Sequence, residues 1–189
     1  MPAFSVRPLD AAHWVDLETL FGPRGASGGC WCMWWRLRPS DNRRNSGADN
    51  RAAFKDLVDA GEPTGLLAYF DDQPVGWCSL APREQFVRLR SSRTWRLVPG
   101  EEPVWSLGCF FVADGQRGKA ISTRLLAAAV RYARKAGARV LEAYPYDNAN
   151  DRLRHEQAWH GTLDAFLQAG FSETARFHPN FPILRRKLR

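Results

Sequence analysis

The segment Val104-Trp105-Ser106-Leu107-Gly108-Cys109-Phe110-Phe111-Val112 is an apolar run of β-forming residues. Directly after it come the small, basic residues Gln116-Arg117-Gly118-Lys119-Ala120-Ile121-Ser122, and then Thr123 to Ala136 with helical periodicity. A buried strand entering a long helix through a tight basic turn constrains the chain strongly. It demands an α/β architecture and leaves backbone N–H groups and the positive end of a helix dipole free to meet a phosphate.

At 189 residues the chain suits a single domain spanning 1–189. No apolar run approaches the length needed to cross a membrane, and the N-terminus lacks a signal-peptide pattern, so a cytoplasmic protein without a membrane partner is expected. The four cysteines, Cys30, Cys32, Cys78 and Cys109, are read as reduced thiols rather than a disulfide scaffold. A net charge of +7 favours anionic ligands without choosing among nucleic acid, a membrane surface and a phosphorylated cofactor.

Along the chain, Phe4 to Pro8 reads as a first strand, and Asp10 as the cap of a helix bearing Trp14, Leu17, Leu20 and Phe21 on one face. The polar stretch Arg36 to Asn50 reads as a surface loop, followed by a helix around Phe54, Leu57 and Val58 that ends at Gly61. Thr64 to Phe70 and Pro74 to Ala81 form a hairpin about Asp71-Asp72-Gln73, and Pro82 to Pro103 is a long connection. The helix after the central strand is expected to bury Ile121, Leu125, Ala128, Ala129, Tyr132 and Ala136. Arg139 to Tyr146 is a strand whose right-handed crossover implies parallel pairing with the central one. Gly161 to Ala169 is a short helix, and Phe171 to Phe177 and Ile183 to Leu188 are the last strands.

From Phe4 to Leu188 this order resembles the GNAT superfamily of acyl-CoA-dependent N-acetyltransferases. The resemblance is strongest in the hairpin Gly65 to Trp77, in Phe110 to Leu126 and in Phe166 to Phe171. The family's cofactor motif, Gln/Arg-x-x-Gly-x-Gly/Ala, is met by Arg117-Gly118-Lys119-Ala120-Ile121-Ser122, so its two glycine positions are Ala120 and Ser122. The fold implied is α/β of the α+β kind, a central mixed sheet flanked by helices, with two parallel strands splayed at the cofactor site.

The resemblance implies direct transfer of an acetyl group from acetyl-CoA to the amine of a small molecule, peptide or protein. Phe110, Phe111 and Val112 would present backbone N–H groups to the pantetheine arm, and Arg117, Gly118, Lys119, Ala120, Ile121, Ser122 and Thr123 would hold the pyrophosphate. Many relatives carry a Tyr where this chain has Phe166. Tyr144 and Tyr146 then compete as general acid, with Tyr146 preferred, and Glu102 is the candidate base. Trp31, Trp34 and Trp35 are placed as walls of the acceptor pocket, with a core role as the alternative.

No metal is expected, since Cys30 and Cys32 lack a second ligand pair and the histidines show no ligand spacing. Cys109 is read as a packed strand residue rather than a nucleophile. Two other classes fit the residues. A catalytically silent acyl-CoA sensor would explain Phe166 and the altered glycines. A nucleic-acid-binding module would explain the charge and Arg88, Arg90, Arg93 and Arg96. An exposed aromatic surface would support a homodimer.

Overall fold

The computed structural model describes residues 3–42, 47–100, 103–147 and 159–189. Its elements are β1 (Phe4–Pro8), α1 (Trp14–Phe21), α2 (Pro39–Asn42), α3 (Gly47–Asp59), β2 (Gly65–Phe70), β3 (Gln73–Pro82), β4 (Val104–Val112), α4 (Ile121–Lys135), β5 (Val140–Ala143), α5 (Leu163–Gln168), β6 (Ser172–Arg176) and β7 (Pro182–Lys187). The strands form one sheet in the order β1-β2-β3-β4-β5-β7-β6. All neighbours run antiparallel except β4 and β5. Among the described residues no helix is long and apolar enough to cross a membrane.

Alternation along the strands divides the interior into two layers. Leu66, Cys78, Leu80 and Leu107 face α4, whose Ile121, Leu125, Leu126 and Ala129 are buried against them. Leu67, Tyr69, Trp77 and Cys109 face the opposite way, toward α1, α3 and an aromatic mass that includes Trp35 and Phe86. Trp35 and Trp77 are wholly inaccessible to solvent, and Phe54 with them. Burying a Phe-sized side chain contributes about 1.5–3 kcal/mol, so this aromatic layer is a principal source of stability.

Several expected elements change length for identifiable reasons. The stretch from Arg36 to Asn50 is not merely a loop: it contains α2 and the first turn of α3. Asn50 is buried there because its side-chain amide donates to the Gly29 carbonyl at 2.9 Å. Tyr132 is only partly buried and Ala136 is exposed, because α4 ends at Lys135 and its last turn leaves the sheet. Gly137, at φ +86°, then reverses the chain. The strand read over Arg139 to Tyr146 pairs only over Val140–Ala143. The connection from Pro82 to Pro103 holds two short 3-10 turns, Arg83–Gln85 and Val87–Arg90, and buries Phe86, Leu89 and Trp95.

One buried carboxylate fastens that connection to the sheet. Glu142 of β5 is fully buried, accepts a hydrogen bond from Arg185 Nε at 2.7 Å, and lies 3.5 Å from Arg83 Nη1. Both arginines also donate to the Val98 carbonyl. The Tyr144 hydroxyl donates to Glu142 at 2.6 Å, which leaves Ser106 to donate to Tyr144 at 2.9 Å. Removing one partner of a buried, hydrogen-bonded ion pair leaves the other charge uncompensated. Glu142→Ala is therefore expected to cost about 3–5 kcal/mol in urea-induced unfolding. A loss below roughly 1 kcal/mol would show that the carboxylate does not hold the connection in place.

Candidate functional site

The site begins with how β4 is shared between its neighbours. On the β3 side Cys78 pairs with Phe110 while Leu80 pairs with Leu107, so β4 advances three residues where β3 advances two. This bulge falls at Gly108-Cys109 and bends the strand. Gly108 is required there, since a Cβ would lie 2.7 Å from Trp35 Cδ1 and 2.9 Å from Phe86 Cε2. On the β5 side pairing runs only from Val104 to Leu107.

Beyond Ala143 the β5 chain turns to other partners. Tyr146 donates its N–H to the Gly161 carbonyl at 3.0 Å, and its carbonyl accepts from Leu163 at 3.1 Å. The distal half of β4 is thereby left open along one edge. Ala113 donates its N–H to Val75 of β3. By strand alternation Phe111 also faces β3, and the N–H groups of Phe110 and Val112 face the opening.

The opening leads to the start of α4. Gly118 (φ +80°) and Ala120 (φ +55°) shape the turn, and no side chain caps the helix. The first-turn N–H groups of a 15-residue helix consequently remain available to an acceptor. Of the two motif positions lacking glycine, only Ala120 has a left-handed backbone, at a cost of roughly 1–2 kcal/mol. Ser122 lies inside α4 with ordinary negative φ, so serine brings no strain there.

A groove of about 590 Å³ joins these parts. Phe110 and Val112 line it from β4, and Arg117, Gly118, Ala120, Ile121, Ser122 and Thr123 from the turn and helix. Phe111 and Lys119 do not. Phe111 turns to the other face and meets Phe21 with ring centroids 5.5 Å apart, while Lys119 donates to Gln116 at 2.8 Å. Of the far wall, Gly161, Thr162, Ala165 and Phe166, the sequence singles out Phe166 alone, as the position where many relatives carry a Tyr. For the rest of that wall the sequence signal is Gly161 before a helix start. Gly161 lies at φ +74°, and a Cβ there would come within 2.9 Å of Phe166 and 3.3 Å of Phe110.

The remaining candidates scatter. Glu102 lies outside the described residues. Tyr146 is buried, its hydroxyl accepts from Asn180 Nδ2 at 3.2 Å, and its backbone bridges to Thr162 of the groove wall. Tyr144 is committed to Glu142 and Ser106; burial first, and then the Glu142 charge, push its phenol well above the usual range. The three tryptophans do not wall one pocket. Trp31 stacks on Trp14, and Trp35 is buried between Phe86 and Tyr144. Trp34 is half-buried beneath the Arg88 guanidinium, 3.9 Å above its ring. Arg88 is itself buried, whereas Arg90, Arg93 and Arg96 are exposed. All four cysteines are free thiols, and burial pushes that of Cys30 up to about 11. Among the described residues no three His, Cys, Asp or Glu side chains converge to hold a metal.

The protein is thus an α/β sheet with one splayed parallel pair, whose gap is continuous with an uncapped helix N-terminus. Residues 31–156 match the acetyltransferase (GNAT) family, and the chain belongs to that family. The fold is similar to that of a candidate acetyltransferase from Salmonella typhimurium solved with its cofactor acetyl-CoA, at 18% identity and a TM-score of 0.55, over 99% of this chain and 95% of that one. It is also similar to an N-acetyltransferase from Staphylococcus aureus Mu50, at 13% identity, TM-score 0.57 and 99% coverage of both chains. A ribosomal-protein-alanine N-acetyltransferase from Brucella melitensis is alike at 19% identity and TM-score 0.54, over 97% of this chain and 99% of that one. No curated protein sequence matches the chain.

His160, next to the groove wall, was not anticipated either. It is buried, stacks on Trp159 at 3.6 Å, and donates Nδ1–H to the Tyr144 carbonyl at 3.0 Å. Desolvation pushes its pKa down to about 3. A depressed imidazole pKa means that the unfolded state binds the extra proton below pH ~6.5, so stability falls as pH drops through that value. Between pH 7.5 and 5 the protein should lose about 2 kcal/mol more stability than His160→Phe, read from urea melts at each pH. Equal losses would mean that His160 is protonated in the folded protein.

Proposed function

We propose that the chain transfers an acetyl group from acetyl-CoA to a primary amine of a small molecule, peptide or protein. The observation that carries this reading is the continuity of the open Phe110–Val112 edge with the uncapped start of α4 in one groove. The residues present suit a coenzyme A ester. Its pyrophosphate would be held by first-turn N–H groups of α4, the Ser122 and Thr123 hydroxyls and Arg117. Its pantetheine arm would be held by the backbone of Phe110 and Val112. Ala120 keeps the glycine-like backbone the turn needs, with one methyl added.

When bound, the ester supplies an activated acyl carbon and a thiolate leaving group. The chain's own tasks are to orient that carbonyl and manage protons. The Phe110 and Val112 N–H groups, turned away from β3, are placed to polarise a carbonyl lying in the opening. Phe166 carries no proton to give, so the acid role falls to Tyr146. Its hydroxyl accepts from Asn180 and thus keeps its own proton free to donate. Glu102 is retained as the base that takes the amine proton. Amine acceptors are ordinarily protonated at pH 7, with pKa about 10.4, so such a base is needed.

Acetyl-CoA at a hundred times its dissociation constant should stabilise the protein by about 2.7 kcal/mol and raise its melting temperature by roughly 5–10 °C. The absence of a shift would sink the proposal. Tyr146→Phe should keep that shift while lowering turnover of an accepted amine by roughly a hundredfold. The presence of Phe166 favours one other reading, a silent acyl-CoA sensor. That protein would show the melting shift and release no free thiol with any amine.

A further inference from the structure

The second flank of α4 carries a groove of its own. It measures about 520 Å³ and lies between α4 and the edge strand β1. Helix α4 packs principally on β2, β3 and β4, and so leaves this face of β1 partly uncovered. The floor is apolar: Phe4 and Val6 of β1, Leu66 of β2, and Ala128 and Tyr132 of α4. Along the rim stand Arg124, Arg131 and Lys135. Spacings of seven and four residues set the three cations in one row, about 16 Å long at 1.5 Å per residue.

Nothing among the described residues neutralises that row. The carboxylates of the turn between β2 and β3 are engaged elsewhere: Asp71 accepts from the Ala3 N–H, and Asp72 pairs with Arg7. The Arg124 guanidinium instead lies over the Phe4 ring, 3.5 Å from its centroid, joining the cationic rim to the apolar floor. An apolar trough under a row of unneutralised cations is complementary to one kind of ligand. Inorganic phosphate alone would leave the floor wet, and a neutral hydrocarbon would leave the cations unmet.

Other occupants fit less well. A second copy would set one cationic row against another on a chain of net charge +7. An added β-strand would find little edge to pair with. Leu9 donates to Gly65 of β2, so only Phe4 and Val6 turn their backbone groups outward, and Pro8 has no N–H to offer. A bilayer surface is flat where this site is concave.

We propose that the groove between α4 and β1 binds a free amphipathic oxyanion, an alkyl chain bearing a carboxylate or phosphate. The chain lies over Phe4, Val6 and Leu66, and the head group meets Arg131 and Lys135. This site is separate from the cofactor groove and does not depend on the acetyltransferase reading.

The test is calorimetric titration of the full chain with decanoate below its aggregation concentration, with acetate and decan-1-ol as the two half-ligands. One-to-one decanoate binding is expected, unchanged by saturating coenzyme A. The double variant Arg131→Glu/Lys135→Glu should weaken it roughly tenfold or more. Both substituted residues are exposed, and an unaltered thermal melt reports that the variant is folded. The proposal is overturned if decanoate binds the variant equally well, if coenzyme A displaces it, if either half-ligand binds as tightly, or if decanoate gives no binding. Capture by phosphatidylglycerol vesicles without binding of free decanoate would overturn it in favour of a membrane surface.

Discussion

Strand β4 cannot be fully paired on both edges, and the site depends on that constraint. Toward β3 it keeps its ladder through a bulge at Gly108-Cys109; toward β5 it keeps only Val104 to Leu107. Unpaired backbone groups inside a protein are costly, so such an edge persists only where something else supports the strand and a ligand can meet the free groups. Here Trp35 and Phe86 press on Gly108 from one side, and Phe166 meets Phe110 on the other, with centroids 6.1 Å apart. The gap is thus held open by packing rather than by flexibility.

What diverts β5 is equally specific. The backbone of Tyr146 is taken by Gly161 and Leu163, and the Tyr144 carbonyl by His160. Beneath them Glu142, Arg185 and Arg83 tie the sheet to the long connection at Val98. A carboxylate and two guanidinium groups in a dry interior are stable together and costly apart. That interdependence keeps β5, β7 and the connection in one arrangement, and the position of the opening follows from it.

Legibility in the sequence tracked how local each determinant was. The strand from Val104 to Val112, the turn from Arg117 to Ser122 and the helix beyond them are set by neighbours in the chain, and they were readable together with the groove face they make. Phe111 was misplaced because alternation alone does not say which residues of a strand face its partner; the register with β3 does. Trp31, Trp34 and Trp35 look like a pocket wall on paper because they are clustered within five residues and aromatic. Yet Trp31 parts from the other two, with a left-handed conformation at φ +45° that sends it toward Trp14, while Trp34 and Trp35 stay in contact with centroids 4.8 Å apart.

Taken by itself, the sequence determined the α/β class, the family resemblance, the basic turn before α4 and the presence of Phe166 where the resemblance implies a Tyr. All of these rest on short-range patterns in which residue type and spacing carry the physics. Tertiary structure alone decided that Gly161 and Thr162 close the groove, that Tyr144 is used up by Glu142 while Tyr146 is not, and that His160 is buried against the Tyr144 carbonyl. It also decided that Arg124, Arg131 and Lys135 overhang an apolar trough. Each of these joins residues distant in the chain, and such contacts are set by register, bulge and packing, which no local pattern encodes.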